Sequence, residues 1–193
     1  MNQLYIEGKT FSRIDFNQNP LAMGEYENCR FLNCDFSNFN LTNYSFMDCE
    51  FESSNLSLAN LSGTAFKDCK FEDCKMLGMR FDTCNEFGIG FGFENCFLNH
   101  SSFYKLKIKK TVFKNTQLQE VDFAECDLSA VKFDNCDLTR ATFNNTILER
   151  ADFQTSYNYT FDPEINRIKN AKFSLTGVSG LLEKYNIDID MKN

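Results

Sequence analysis

A period of five residues runs through most of this chain, and no other feature limits its fold so tightly. Phe11, Phe16, Leu21, Tyr26, Phe31, Phe36, Leu41, Phe46, Phe51, Leu56, Leu61, Phe66, Phe71, Met76 and Phe81 are each five apart. Two residues before most of them stands something small, as at Cys29, Cys34, Cys49, Ser54, Ala59, Thr64, Cys69 and Cys74. A second series starts at Phe93 and continues through Leu98, Phe103, Ile108, Phe113, Leu118, Phe123, Leu128, Phe133, Leu138, Phe143, Leu148 and Phe153. The phase lapses over 157–166, and Ile168 and Phe173, with Ala171, return to it.

Five is neither the helical nor the strand period. On one short extended segment, however, a large residue and the residue two before it can both point inward, and the remaining two residues turn a corner. Repetition closes the chain into a coil, and stacked coils pair backbone edges at about 4.8 Å per layer. Spacing by twenty sets the number of sides. Phe93, Phe113, Phe133, Phe153 and Phe173 form one column, Ile108, Leu128, Leu148 and Ile168 another, and Leu21, Leu41 and Leu61 a third. Four sides of five residues give an all-β quadrilateral parallel β-helix of about eight coils, or about 40 Å of rod. The expected organisation is one domain over 1–193. It holds a first run over 6–86, a phase break over 82–92, a second run over 93–156, an irregular segment over 157–170, and a last repeat with a C-terminal cap over 171–193.

The nine cysteines fall on the same lattice, at the small inward position. None forms the close C-x-x-C pair that metal sites favour, so they are read as reduced core residues. With a single histidine, His100, at an outward position, neither metal nor cofactor is expected. Catalysis by paired carboxylates, which some other β-helices use on polysaccharides, has no constellation to support it. No apolar run approaches the roughly 18 residues of a membrane span, and MNQLYIEGKT lacks the features of an export signal. A cytoplasmic protein without membrane contact is expected.

Stretches such as NCDF (33–36), ANL (59–61), VDF (121–123), NCDL (135–138) and ADF (151–153) resemble the motif of the pentapeptide repeat proteins: small residue, Asp or Asn, Leu or Phe, then two variable positions. That resemblance implies a right-handed quadrilateral β-helix. KMLGMRF (75–81), FENCFLNHSSFYKLKI (93–108), YNYTFDPEINRIKNAKFSL (157–175) and SGLLEKYNIDID (179–190) are similar to the subgroup that protects DNA gyrase, the albicidin-resistance and Qnr-type quinolone-resistance proteins. The resemblance implies a rod that dimerises at its C-terminal end and binds gyrase or topoisomerase IV as an acidic imitation of duplex DNA. The alternative is a non-catalytic interaction scaffold for an unrelated protein.

Charge bears on this reading. Residues 1–90 hold 13 acidic and 7 basic side chains, a net of −6, and residues 91–193 hold 14 and 13, a net of −1. Four-sided folding puts Glu25, Glu27, Asp48, Glu50, Glu52, Asp68, Glu72 and Asp73 outward on two neighbouring sides, the candidate partner-binding face. Glu120, Asp122, Glu125, Asp127, Asp134 and Asp137 form a further cluster. A duplex carries one charge per about 1.7 Å, so the imitation is sparse, and a merely solubilising surface is the plain alternative. Lys105, Lys107, Lys109, Lys110 and Lys114 point outward around one corner, yet with a pI near 4.8 direct nucleic-acid binding is not expected.

Two irregular segments complete the reading. The break over 82–92 contains Gly88, Gly90 and Gly92 and is expected to form a bulge or short loop, with Phe87, Ile89 and Phe91 as candidate contacts. At the other end, the open last coil needs covering. A short helix over 177–186 would place Leu181, Leu182 and Tyr185 on one side, and an alternating strand at Ile187 and Ile189 would supply an edge for a second copy. A plain cap on a monomer is the competing expectation.

Overall fold

The computed structural model describes residues 4–190. Its short strands are β1 (Leu4–Glu7), β2 (Thr10–Ser12), β3 (Gly24–Glu27), β4 (Arg30–Leu32), β5 (Ser45–Met47), β6 (Glu50–Glu52), β7 (Ala65–Lys67), β8 (Cys69–Glu72), β9 (Phe91–Glu94), β10 (Val112–Lys114) and β11 (Lys132–Asp134). All pairings are parallel. The first side is a sheet in the order β11-β10-β9-β8-β6-β4-β2, and the fourth is β1-β3-β5-β7. The second and third sides are held by isolated bridges such as Asp15↔Asp35↔Asn55 and Asn40↔Asn60. The chain is therefore a four-sided parallel β-solenoid.

Register follows the spacing of twenty: Phe11 pairs with Phe31, Phe31 with Phe51, and Phe51 with Phe71. Inside, these rings stack face to face; Phe51 lies 4.8 Å from Phe31 and 4.9 Å from Phe71. Stacked columns place large apolar side chains at nearly zero exposure between the two end coils; in those end coils Ile6, Phe11, Ile168 and Phe173 are only partly buried. Such burial is the main favourable term for a fold with so little regular strand.

The corners carry a feature that the periodicity does not announce. Two residues after almost every large inward residue the backbone is left-handed, as at Asn28, Asn33, Asn38, Asn43, Asp48, Asp68, Asn115 and Asn135. Asn and Asp tolerate this region best among residues with a Cβ, which accounts for their abundance there. The Asp or Asn just before the large residue also has a structural task. Its side chain accepts the N–H two residues on, as Asp35 does from Ser37, Asn60 from Ser62 and Asp137 from Thr139.

At the phase break the first-side sheet continues without interruption, because Phe71 pairs with Phe93 across a spacing of 22. The two extra residues are taken up on the fourth side, where a loop over 84–90 replaces a strand and Gly88 turns with φ +71°. Within the loop Cys84 is buried and Ile89 packs partly against the core, so no fully buried large residue continues the column between Phe66 and Ile108. Phe91, in register with Cys69 at the inward position two before Phe93, is buried beside the loop, packing 5.3 Å from Phe81, 5.1 Å from Phe93 and 5.9 Å from Phe103.

The irregular segment and the cap close the far end. Tyr159 and Phe161 are buried against Phe153 and Phe173. Two 3₁₀ turns follow, Gly177–Leu181 and Glu183–Tyr185. A Cβ at Gly180 would lie 1.9 Å from the Tyr159 carbonyl oxygen, so only glycine permits this approach. Lys184 bridges Asp162 and Glu164, each at 2.7 Å, and Tyr185 donates to Glu164. The alternating strand expected at Ile187 and Ile189 does not form: both residues are exposed and no strand is assigned there. A strand needs an edge to pair with, and among the described residues no strand is paired with 187–190.

Candidate functional site

Thiol chemistry has no outlet on this rod. All nine cysteines are free and buried. Burial pushes the thiols of Cys49, Cys126 and Cys136 up to about 12, far from the range of a reactive thiolate. Most instead serve as weak hydrogen-bond donors, as from Cys74 to the Phe51 carbonyl at 3.3 Å. Among the described residues, no group of three or more His, Cys, Asp or Glu could hold a metal ion, and no helix is long and apolar enough to cross a membrane.

The surface is divided by side. Charges concentrate on the first and fourth sides, whose outward positions carry residues such as Arg30, Glu50, Lys70 and Glu72 or Glu25, Lys67, Lys107 and Arg167. The second and third sides expose mostly Asn, Ser, Thr and Gln, including an amide ladder Asn95–Asn115–Asn135 at the corner of the first and second sides. The eight candidate acids all lie on the first and fourth sides or their corners.

Their pairing separates the two runs. In the second run every acid of the cluster is engaged. Glu120 pairs with Arg140 and His100, Glu125 with Lys105, Asp127 with Lys109, and Asp134 with Lys132. Asp122 accepts the Ala124 N–H, and Asp137 accepts from Thr139, Gln119 and Asn158. In the first run, Glu50 and Glu52 pair with Arg30, which the twenty-residue spacing places one coil away, and Glu50 also meets Lys70. Glu27 accepts from the Tyr5 hydroxyl at 2.7 Å. Glu25, Asp48, Asp68, Glu72 and Asp73 make no side-chain hydrogen bond or ion pair among the described residues, and all five are exposed, with Glu72 in the field of Lys114. The free acidity thus lies in the first run, along two adjoining sides.

The three junction candidates part company. Phe87 stands at the tip of the 84–90 loop, 81% exposed, with the Lys67 ammonium 5.6 Å from its ring. Ile89 packs partly against the core, and Phe91 is a core residue, since it takes the inward position two before Phe93. Beside Phe87 runs a groove of about 300 Å³, floored by Ser45, Gly63 and Ala65 and bounded by Glu25. At the C-terminal end Leu181 is buried in its own chain and Leu182 half-buried, whereas Tyr185, Ile187, Ile189 and Leu175 are exposed.

A four-sided solenoid of five-residue sides, with small donors and large apolar residues alternating inside it, defines a class. The chain belongs to the pentapeptide repeat family: the signature of pentapeptide repeats (8 copies) matches residues 27–63 and 49–85, and that of the pentapeptide repeat region matches 91–157. Among solved structures it is similar to two trypsin-treated forms of QnrB1, a plasmid-mediated fluoroquinolone resistance protein. One is 17% identical with a TM-score of 0.59, covering 96% of this chain and 99% of that one. The other is 18% identical with a TM-score of 0.58, covering 98% and 100%. At these identities the likeness is one of fold. No curated protein matches the chain.

Proposed function

We propose that this protein is a non-catalytic imitation of duplex DNA that binds bacterial DNA gyrase or topoisomerase IV and protects the enzyme from poisons of the quinolone or albicidin type. The observation that carries the reading is the uncompensated acidity of the first run. Glu25, Asp48, Asp68, Glu72 and Asp73 are free on two adjoining sides of a rod whose remaining acids are mostly tied to its own cations or turns. A surface whose carboxylates are already satisfied offers a basic partner little; a free row exerts its field outward. Similarity in fold to a fluoroquinolone resistance protein over nearly the full length of both chains supports the same reading.

The protein acts in the cytoplasm, as a homodimer joined through its C-terminal ends. Exposed Leu175, Tyr185, Ile187 and Ile189 support that arrangement, and the alternation over 187–190 becomes a strand when a second copy supplies the missing edge. Phe87 forms an apolar contact at the rim of the acidic strip. The direct test is supercoiling by purified gyrase in the presence of a quinolone or albicidin: added protein restores supercoiling. No restoration with either drug, together with no binding to either topoisomerase, sinks the proposal.

A further inference from the structure

Side four of the rod is electrically divided along its length. Above the 84–90 loop it carries Glu7, Glu25, Glu27, Asp48 and Asp68 with Lys67 as the one cation; below it stand Lys107, Lys109, Lys110, Arg150, Arg167 and Lys169 against Asp127 and Glu149. Lys109 is taken by Asp127 and Arg167 by Glu149. Lys107, Lys110, Arg150 and Lys169 make no side-chain hydrogen bond or ion pair among the described residues. The coil spacing readily forms such pairs, as at Lys105–Glu125 and Lys114–Glu94, so the four free cations reflect which residues stand next to them. Between Lys110 and Arg150 on the corner lies Ala130, and beyond Arg150 lies Asn170.

We infer that the fourth side is a bipolar docking surface for one protein partner, whose contact region carries a basic patch and, about 20 Å from it, an acidic one. This rests on the topoisomerase reading and adds the orientation of the rod on the enzyme. Complementary fields at both ends fix direction, because a rod docked the other way round sets like charges together. A nucleic acid does not fit, since its phosphates would meet the free carboxylates of the upper half and a chain of net charge −7. A second copy laid antiparallel on the same side fits poorly as well. A two-fold through the loop would oppose Glu27 to Glu149 and Lys67 to Lys109, offsetting the opposite charges it brings together at Asp68–Lys110 and Glu7–Lys169, and would bring two projecting Phe87 loops together.

Binding of purified gyrase and topoisomerase IV, measured at low and physiological salt, tests this with two charge-reversed variants. One is Lys107→Glu/Lys110→Glu/Arg150→Glu and the other Glu25→Lys/Asp48→Lys/Asp68→Lys. Both are tolerable in the fold, because Glu120, Glu125, Lys105 and Lys110 themselves occupy left-handed corners, and melting temperatures equal to the wild type's are the check on it. Each variant is expected to weaken binding about tenfold or more, chiefly through slower association at low salt. Undiminished binding by the basic-half variant, with loss in the acidic-half variant, overturns the bipolar surface and leaves the topoisomerase reading standing. Failure of the wild type to bind either enzyme overturns the functional reading itself. Loss of self-association in sedimentation, with enzyme binding intact, assigns the basic half to a second copy and equally overturns the inference.

Discussion

The Ser54 hydroxyl donates to the carbonyl oxygen of Phe31 at 3.1 Å, and at the same time accepts the N–H of Cys34 at 3.0 Å. The same donation recurs along the rod from Thr64 to Leu41, Cys96 to Phe71, Cys136 to Phe113 and Thr146 to Phe123. Where the small inward residue is Cys, Ser or Thr it is therefore a donor that ties one coil to the one before it, whereas Ala at 59, 141 and 151 meets only the requirement for small size.

Ser54→Ala removes a donor and leaves a buried N–H without its partner. Urea unfolding should show a loss of about 1–3 kcal/mol, with Ser54→Cys recovering part of it. Equal stability of Ala and Ser at this site would reduce the position to a requirement for small size.

Phe51 is stacked between Phe31 and Phe71 and is 1% exposed. Phe51→Ala should cost about 3–5 kcal/mol, because rigid neighbouring coils cannot collapse into the cavity. A loss below about 1 kcal/mol by chemical denaturation would mean that the aromatic column does not hold the rod together.

Phe87 and Phe91, four residues apart, should respond oppositely. Phe87→Ala leaves stability within about 0.5 kcal/mol, since the ring is exposed, and weakens binding to gyrase. Phe91→Ala costs about 3–5 kcal/mol by emptying the core at the junction. Destabilisation by the first variant, or its absence in the second, would contradict the packing described for the loop.

Acid should weaken the second run. For Asp137, burial opposes ionisation, but hydrogen bonds from Thr139, Gln119 and Asn158 outweigh it and hold the carboxyl below its ordinary range. Asp127 behaves likewise, its burial outweighed by Ser129 and Lys109. A carboxylate depressed in the folded state stabilises fully above its unfolded value of about 3.9, and that stability is lost as pH falls through the folded value. The urea midpoint should hold from pH 7 to about 5 and decline below about 4, with Asp137→Asn flattening the decline. A midpoint that rises on acidification would reverse the sign argued here.

Much of this was legible in the spacing of large residues. Five sets the side, twenty sets the coil, and the two-residue shift between Phe71 and Phe93 is the register the sheet adopts. The same spacing also contained signals less easily read. Asn at 28, 33, 38 and 43 marks left-handed corners, and Arg30, Glu50 and Lys70 are twenty apart, so part of the acidic face is neutralised within its own column. Phe91 stands two before Phe93, in register with Cys69, so the inward rule already covers it; what the spacing does not show is that a ring finds room where the other coils carry a small residue. Ile187 and Ile189 alternate as a strand does, but alternation gives a face and not a neighbour, and a single chain offers them no edge. The 3₁₀ turns over 177–185 were foreseen as a short helix; their attachment through Lys184 to Asp162 and Glu164 was not.

The central claim is that the free acids of the first run engage the topoisomerase. It is tested most directly by supercoiling with purified gyrase inhibited by a quinolone and, in parallel, by albicidin, titrating wild-type protein against the variant Glu25→Lys/Asp48→Lys/Asp68→Lys/Glu72→Lys. The account predicts that the wild type restores supercoiling and that the variant, folded and of equal melting temperature, does not. Equal restoration by both, or by neither, would contradict it.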